Sequence, residues 1–261
     1  MRWIVPVLLS AMLVLASCGT ATGDRVVVAA GTTLVDSGFL QLVADAYEQE
    51  HGEVTISIVG LGSAEAIAYA DAGSADVIVT HNEALLDEYL SRAPHARATS
   101  PFVSEFIALG PEGTEAARSI VDLFARVANE GSTFVSRDDG SGTNARERAI
   151  WALVPYDPSG DSWYVRTGSG MGATLLVADE LGGVTLSELG AFLAAGDTLR
   201  MVPISLEDGR LLDNPYHLTV VFPAELPAAA AFQDWMSSEA GARAIAAANE
   251  ALFGAQVYRT P

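Results

Sequence analysis

Short apolar runs alternate with runs at helical spacing, and this order repeats three times at the start of the chain. Val26 to Ala29 reads as a strand; after Gly31-Thr32-Thr33, the residues Phe39, Leu42, Val43, Ala46 and Tyr47 fall on one helical face, with Asp36 or Ser37 placed to cap it. Val54 to Val59 is a second strand, and Gly60-Leu61-Gly62-Ser63 opens a small helix carrying Ala64, Ile67 and Ala68. Asp76 to Thr80 is a third strand, and Asn82 caps the helix after it. Parallel strands cannot be joined by tight hairpins, so successive βα units require helical crossovers and a sheet covered on its faces. In such sheets ligands bind beyond the carboxyl ends of the strands. Thr32, Thr33 and Ser63 therefore stand where ligand contacts are expected.

The rhythm then loosens. Phe102 to Leu109 is an extended run ended by Gly110-Pro111, Ser119 to Asn129 a helix, and Thr133 to Ser136 a strand. Ala145 to Leu153 reads as helix, Trp163 to Thr167 as strand and Ala173 to Leu181 as helix; Thr185 and Glu188 have the spacing of a capping box for the next one. Arg200 to Ser205 and His217 to Phe222 are extended, joined across Asp208-Gly209 and Asn214-Pro215-Tyr216, and two helices close the chain from Ala228 to Met236 and from Glu239 to Asn249. Two α/β lobes follow if the chain crosses over near Pro101 and returns near Tyr216: residues 26–101 with 217–261 in one, residues 102–216 in the other, and the ligand between them.

Residues 1–17 have the plan of an export signal, with Arg2 as the positive start and Ile4 to Leu15 as the apolar run. The run is too short for a comfortable membrane-spanning helix of about 20 residues. Leu15-Ala16-Ser17-Cys18 ends it at the chain's only cysteine, which reads as a lipoprotein cleavage site that leaves Cys18 lipid-modified. Residues 18–25 then form a small, polar tether to a membrane face. With no second cysteine, the mature chain has no internal disulfide to form. Acids outnumber bases 33 to 14, every base is arginine, and the net charge is -19, a surface that repels nucleic-acid phosphates.

Against that acidity stands RDDGSGTN, Arg137 to Asn144, between a strand and a helix. A helix N-terminus exposes up to four unpaired N–H groups and about half a positive charge, which makes an anion site. Arg137 adds a fork of donors suited to an oxyanion, and the glycines let backbone approach without a Cβ. As a plain surface turn, the same loop would use Ser and Asp only to cap the helix. Thr167-Gly168-Ser169-Gly170-Met171-Gly172-Ala173 is a second turn of the same kind. Neutral donors with one arginine can hold a dianion in an acidic protein, because local dipoles set the contact potential.

Ser162 to Leu175, SWYVRTGSGMGATL, resembles the WYxxTGxGMGATL signature of tungstate-binding proteins, the lipoprotein or periplasmic components of tungstate ABC transporters. Phe134 to Thr143 is similar to that family's FVSRGDxSGTH, Asn214-Pro215-Tyr216 to its NPY, and His81 matches as well, so the likeness runs in order over essentially the whole mature chain. It implies a two-lobed type II periplasmic-binding-protein fold, each lobe a mixed, mainly parallel sheet flanked by helices, with a tetrahedral oxyanion in the interlobe cleft. It further implies ligand contacts at Thr32, Thr33, Ser63, Arg137, Ser141, Gly142, Thr143, Met171, Gly172 and Ala173, the last three through backbone amides. Three positions depart from the pattern: Ala30-Gly31-Thr32-Thr33 stands for TTTS, Asp138 for a glycine and Asn144 for a histidine. The implied protein is a monomeric, extracytoplasmic receptor without a cofactor. It is anchored through lipid on Cys18 and passes tungstate or molybdate to a permease and its ATPase.

Two other functions compete. Phosphate-binding proteins of the same architecture resemble R-x-D-G-S-G-T, with the carboxylate accepting the proton of hydrogen phosphate, and Asp139 stands at that position. Tungstate carries no proton, so the tungstate reading requires Asp139 to be turned onto backbone N–H groups or onto Arg137. An enzyme is the remoter alternative. Gly168 to Ala173 partly mimics a dinucleotide fingerprint, but it lies deep in the chain instead of opening the first βα unit. His51, His81, His95 and His217 have no metal-ligand spacing, and of these only His81, at a strand's end, is placed to border the cleft. Trp151, Trp163 and Trp235 read as packing residues.

Overall fold

The computed structural model describes residues 24–209 and 211–261. Cys18 and the signal segment lie outside the described residues. In chain order the first half contains β1 (Asp24–Gly31), α1 (Thr32–Asp36), α2 (Phe39–Glu50), β2 (Val54–Leu61), α3 (Ser63–Asp71), β3 (Val77–Thr80), α4 (Glu83–Arg92) and β4 (Arg97–Gly110). After it come β5 (Ala117–Ser119), α5 (Ile120–Glu130), β6 (Phe134–Ser136), α6 (Gly142–Trp151), β7 (Tyr164–Arg166), α7 (Met171–Leu181), β8 (Thr185–Glu188) and α8 (Leu189–Ala195). The chain closes with β9 (Val202–Pro203), β10 (Leu206–Asp208), β11 (Asp213–Val220), α9 (Pro227–Met236) and α10 (Glu239–Phe253).

The fold is the two-lobed α/β fold that the βα alternation leads to. One sheet has the order β2-β1-β3-β11-β4-β8, with β9 also on β4. β1 pairs in parallel with β2 and β3, and β11 runs antiparallel between β3 and β4. Along β1, Val26, Val28 and Ala30 enter one apolar core, under α2, α9 and α10, while Ala29 joins another under α3 and α4. That alternation is the period of two of a strand buried on both faces. β1 starts at Asp24, so the expected tether gives up its last two residues to the sheet; Arg25 Nε donates to Ser57 Oγ at 2.8 Å across to β2.

The second lobe packs α5 and α6 on β6, β7 and the far end of β4. In α5 the residues Ile120, Leu123, Phe124 and Val127 share the buried face, Ser119 caps the start and Gly131 at φ 63° ends it. Phe124, Phe134, Trp151 and Tyr164 form its aromatic centre, with ring centroids 4.6 to 6.1 Å apart. β6 and β7 are parallel, as are β5 and β10.

β4, and β11 with the residue before it, run from one core into the other: Phe102 and Tyr216 belong to the first lobe's core, Phe106 and Leu212 to the second's. Pro101 has no N–H to give, and the ladder slips there, with Phe102 opposite Tyr216 but Thr99 opposite Leu218. Ser100 Oγ donates to the Tyr216 carbonyl at 3.1 Å, supplying a donor the proline lacks. Asn214-Pro215-Tyr216, expected as a connection, is instead the first part of β11. Proline is tolerated because β3 pairs only with residues 217–220, leaving that stretch of β11 with β4 alone.

Candidate functional site

The three parallel strands of the first lobe end side by side. Gly31 is level with Leu61 and Ala30 with Val79, so Thr32, Thr33, Ser63 and His81 all leave the sheet at one edge. Thr33 and Ser63 are buried there. Glu65 Oε2 accepts from the Gly62 N–H at 3.1 Å and sets the start of α3, with Ser63 as its first residue. In the second lobe Ser136 is level with Arg166, and Thr167 N–H donates to the Ser136 carbonyl at 3.0 Å. Arg137 and Gly168 therefore depart together.

The two edges meet at His81. Its ring lies so close to Gly142, the first residue of α6, that a Cβ there would collide with Cδ2 and Nε2. Glycine at this position makes room for a histidine of the other lobe. By contrast a Cβ on Gly140, Gly170 or Gly172 would meet nothing within 4 Å. The close approach expected of all these glycines is thus spent at Gly142 on the protein itself.

Arg137 is buried and donates through Nε and Nη2 to Asp139 Oδ2, at 3.0 and 2.6 Å. Asp139 Oδ1 accepts the Ser141 N–H at 3.1 Å, and Ser141 Oγ in turn caps α6 by accepting the Asn144 N–H at 3.3 Å. Both carboxylate oxygens of Asp139 are therefore occupied within the loop. Thr143 is 1% exposed and its hydroxyl has no hydrogen-bond partner among the described residues. A buried orphan hydroxyl costs about 1–3 kcal/mol, a cost that a ligand oxygen could offset. Asp138, standing where the resembling sequences have glycine, has φ 45°, the left-handed region that glycine enters freely.

Behind the first turn lies a carboxyl that sequence reasoning missed. Glu147, on α6 and 2% exposed, accepts from Ser136 Oγ at 2.8 Å and from Tyr164 OH at 2.5 Å, tying the helix to the end of β6 and the start of β7. Burial pushes it up to about 7, against the pull of those two donors. The available signal was a glutamate one turn inside a helix that starts at a glycine turn, which on sequence looks like a solvated residue.

Around His81 is a second buried cluster. Its Nδ1 faces Asn214 Oδ1 at 2.9 Å and Glu188 Oε2 at 3.8 Å, and its ring stacks on Tyr216 at 4.8 Å. Burial lowers His81 to about 4, so the ring is neutral and Nδ1 carries the hydrogen given to Asn214. Glu188 is fully buried, accepts from Tyr216 OH at 2.7 Å, and is pushed by burial up to about 6. The expected capping box at Thr185 and Glu188 does not form. Those residues are the buried strand β8, and Glu188 turns inward to Tyr216 without capping α8. Likewise Asp36 does not cap α2; Ser37 Oγ accepts the Phe39 N–H at 3.3 Å.

On the second turn, Met171 is buried in the core of α7, whereas Gly172 and Ala173 are exposed at that helix's start. Gly168 takes φ 59°, and Ser169 Oγ donates back to the Thr167 carbonyl. Strand ends thus gather Thr32, Thr33 and Ser63 on one side and Arg137, Ser141, Gly142 and Thr143 on the other, joined at His81. The amides of residues 171–173 sit on the neighbouring, open turn. A cavity of about 910 Å³ lined by Trp151, Tyr156, Tyr164 and Arg166 shares Asp138 with the first turn but contains none of these candidate contacts.

A family model described as a PBP superfamily domain matches residues 17–240. A Haloferax volcanii protein named for ABC-transporter anion binding is 34% identical over 259 residues, 93% of this chain and 75% of its own. The tungstate-binding protein TupA of Peptoclostridium acidaminophilum is 28% identical over 250 residues, 92% of this chain and 86% of its own. Among solved structures, that of the tungstate ABC transporter from Geobacter sulfurreducens superposes with a TM-score of 0.76 at 27% identity, over 86% of this chain and 98% of the other.

Proposed function

The chain belongs to the PBP superfamily, a family of substrate-binding proteins and not of enzymes, and from that premise we propose that it is the tungstate receptor of an ABC transporter. Molybdate, with the same charge and shape, is the second cargo. The observation that carries this reading is the state of Asp139: both of its oxygens are turned onto Arg137 and the Ser141 N–H. A proton acceptor for hydrogen phosphate would aim its carboxylate at the ligand, whereas three hydrogen bonds hold that of Asp139 on its own loop, the orientation that a fully ionised dianion requires.

In this reading the oxyanion lies at the start of α6 among Arg137, Ser141, Gly142 and Thr143, whose orphan hydroxyl turns to it. Thr32, Thr33 and Ser63 meet it from the other lobe, and the amides of Met171, Gly172 and Ala173 complete the shell. The dipoles of the two helices and the N–H donors of Arg137 offset the acidity of the chain as a whole. Ligand bridging both lobes biases an open–closed equilibrium toward the closed form, which the permease and its ATPase would recognise. β4 and β11, with the slip at Pro101, are the hinge strands, so residues 26–101 and 217–261 move against residues 102–216. Lipid on Cys18 holds the receptor at the outer face of the membrane.

Calorimetric titration with tungstate, molybdate, sulfate and phosphate in one buffer tests this. One-to-one binding of tungstate with phosphate silent is the expected result. Phosphate binding with tungstate silent would overturn the cargo and make Asp139 a proton acceptor.

A further inference from the structure

Four ionisable side chains close the seam between the lobes near the start of α6. Arg137 and Asp139 neutralise one another as a contact pair at 2.6 Å. His81 is neutral, and Glu188 is left as a fully buried carboxyl whose charge no contact pair cancels. A tetrahedral dianion arriving beside Arg137 adds two negative charges to this enclosure. Like charges in a buried site are relieved by protonating one of them.

Hydrogen bonding identifies the group best prepared for that proton. Glu188 Oε2 accepts from Tyr216 OH, but Oε1 is buried without a hydrogen-bond partner among the described residues. The hydroxyls of Ser104 on β4 and Tyr258 near the chain's end face the same carboxyl and pull it toward the charged form, against the larger effect of burial. A hydrogen on Oε1 would remove the buried charge, and these hydroxyls, which donate or accept, could turn to receive it. His81 Nδ1, 3.8 Å from Oε2, keeps its hydrogen on Asn214 Oδ1 and leaves the proton to the carboxyl.

We propose that the protein binds its oxyanion together with a proton, which a buffer acid gives up and the buried Glu188 carboxylate takes. No bond to the anion is made or broken. This rests on the oxyanion-receptor reading above, and it places on the protein the proton that hydrogen phosphate would carry itself. Facing Glu188 are Tyr216, His81, Ser104, Tyr258 and, through space, Arg137. Burial already holds Glu188 at about 6, and the dianion raises it further. The sign follows: affinity is level below that value and falls as pH rises above it, approaching tenfold per pH unit where uptake is complete.

The experiment is tungstate calorimetry at pH 7 in two buffers of different ionisation enthalpy, on the wild type, Glu188→Gln and Glu147→Gln. The expected result is a buffer-dependent heat corresponding to roughly half a proton or more taken up, lost in Glu188→Gln. Binding with a buffer-independent heat in the wild type would overturn the proton coupling and leave the receptor intact. No tungstate binding at all would overturn the receptor reading and the coupling with it. A signal lost in Glu147→Gln but kept in Glu188→Gln would overturn the assignment to Glu188. The wild-type comparison stands even if a variant fails to fold.

Discussion

The two glycine turns of the second lobe begin on paired parallel strands and end on helix N-termini, and their surroundings are opposite. In the turn before α6, Arg137, Ser141, Gly142 and Thr143 are all buried, and the histidine of the other lobe occupies the space a Gly142 side chain would need. In the turn before α7, Gly168, Gly170 and Gly172 are exposed and would accept a Cβ without contact. A shared motif thus conceals two physical uses of glycine. One admits a partner ring; the other leaves open space beside the backbone.

Substitutions that treat the two turns alike should separate them. Arg137→Ala should act most strongly, weakening tungstate binding by roughly a hundredfold or more, since it removes a buried charge-assisted donor set; titration calorimetry would measure it, and unchanged affinity would remove the first turn from the site. Next is the pair Gly142→Ala and Gly172→Ala. The first must displace His81 and is expected to cost about 1–3 kcal/mol in denaturant unfolding, while the second gains helix propensity and should cost nothing in stability, showing itself only as weaker ligand binding. Equal destabilisation by both would erase the contrast drawn here.

A smaller effect is expected from Thr143→Val, which exchanges an unpaired buried hydroxyl for a methyl. Thermal stability should hold or rise while affinity falls about tenfold; a loss of stability with affinity intact would mean that the hydroxyl serves the fold. The pH dependence probes what stands behind the turn. The Glu147 carboxyl is raised to about 7, so its contribution is complete below its ordinary value of 4.5 and is lost as pH rises through 7. Glu147→Gln should therefore flatten that part of the stability profile, by an amount on the order of 1–3 kcal/mol between pH 5 and 8; an unchanged slope would assign it to Glu188. Smallest is Asp138→Gly, which relieves the left-handed residue and should stabilise by up to about 1 kcal/mol.

The βα order of the first lobe was legible because each strand and helix there is a continuous run whose burial follows its own period. Asn82 on α4 and the apolar face of α5 were readable for the same reason: cap and helix lie a few residues apart. The misreadings share the opposite cause. Thr185 and Glu188 have the spacing of a capping box, but Tyr216, which draws Glu188 inward, lies 28 residues on. Glu147 is explained by Tyr164, and Gly142 by His81, a residue of the other lobe. For the site, the sequence could supply donor types and the strand ends they sit on. Which glycine faces protein and which faces open space depends on a contact between lobes that no local pattern encodes.

The shared core of the first lobe also constrains how the molecule is made. It combines Val26 and Val79 near the beginning with Tyr216, Phe232, Ile245 and Tyr258 near the end, while the residues between them build a lobe of their own. A chain emerging from its amino end can finish the inner lobe first. Its earliest strands must wait, apolar faces uncovered, until the final helices arrive, a long-range closure that folds slowly and exposes the chain to aggregation meanwhile. Truncating the last fifteen residues would remove Tyr258 and with it the ring stacked on Phe39 at 3.9 Å, leaving the oldest part of the chain without its lid.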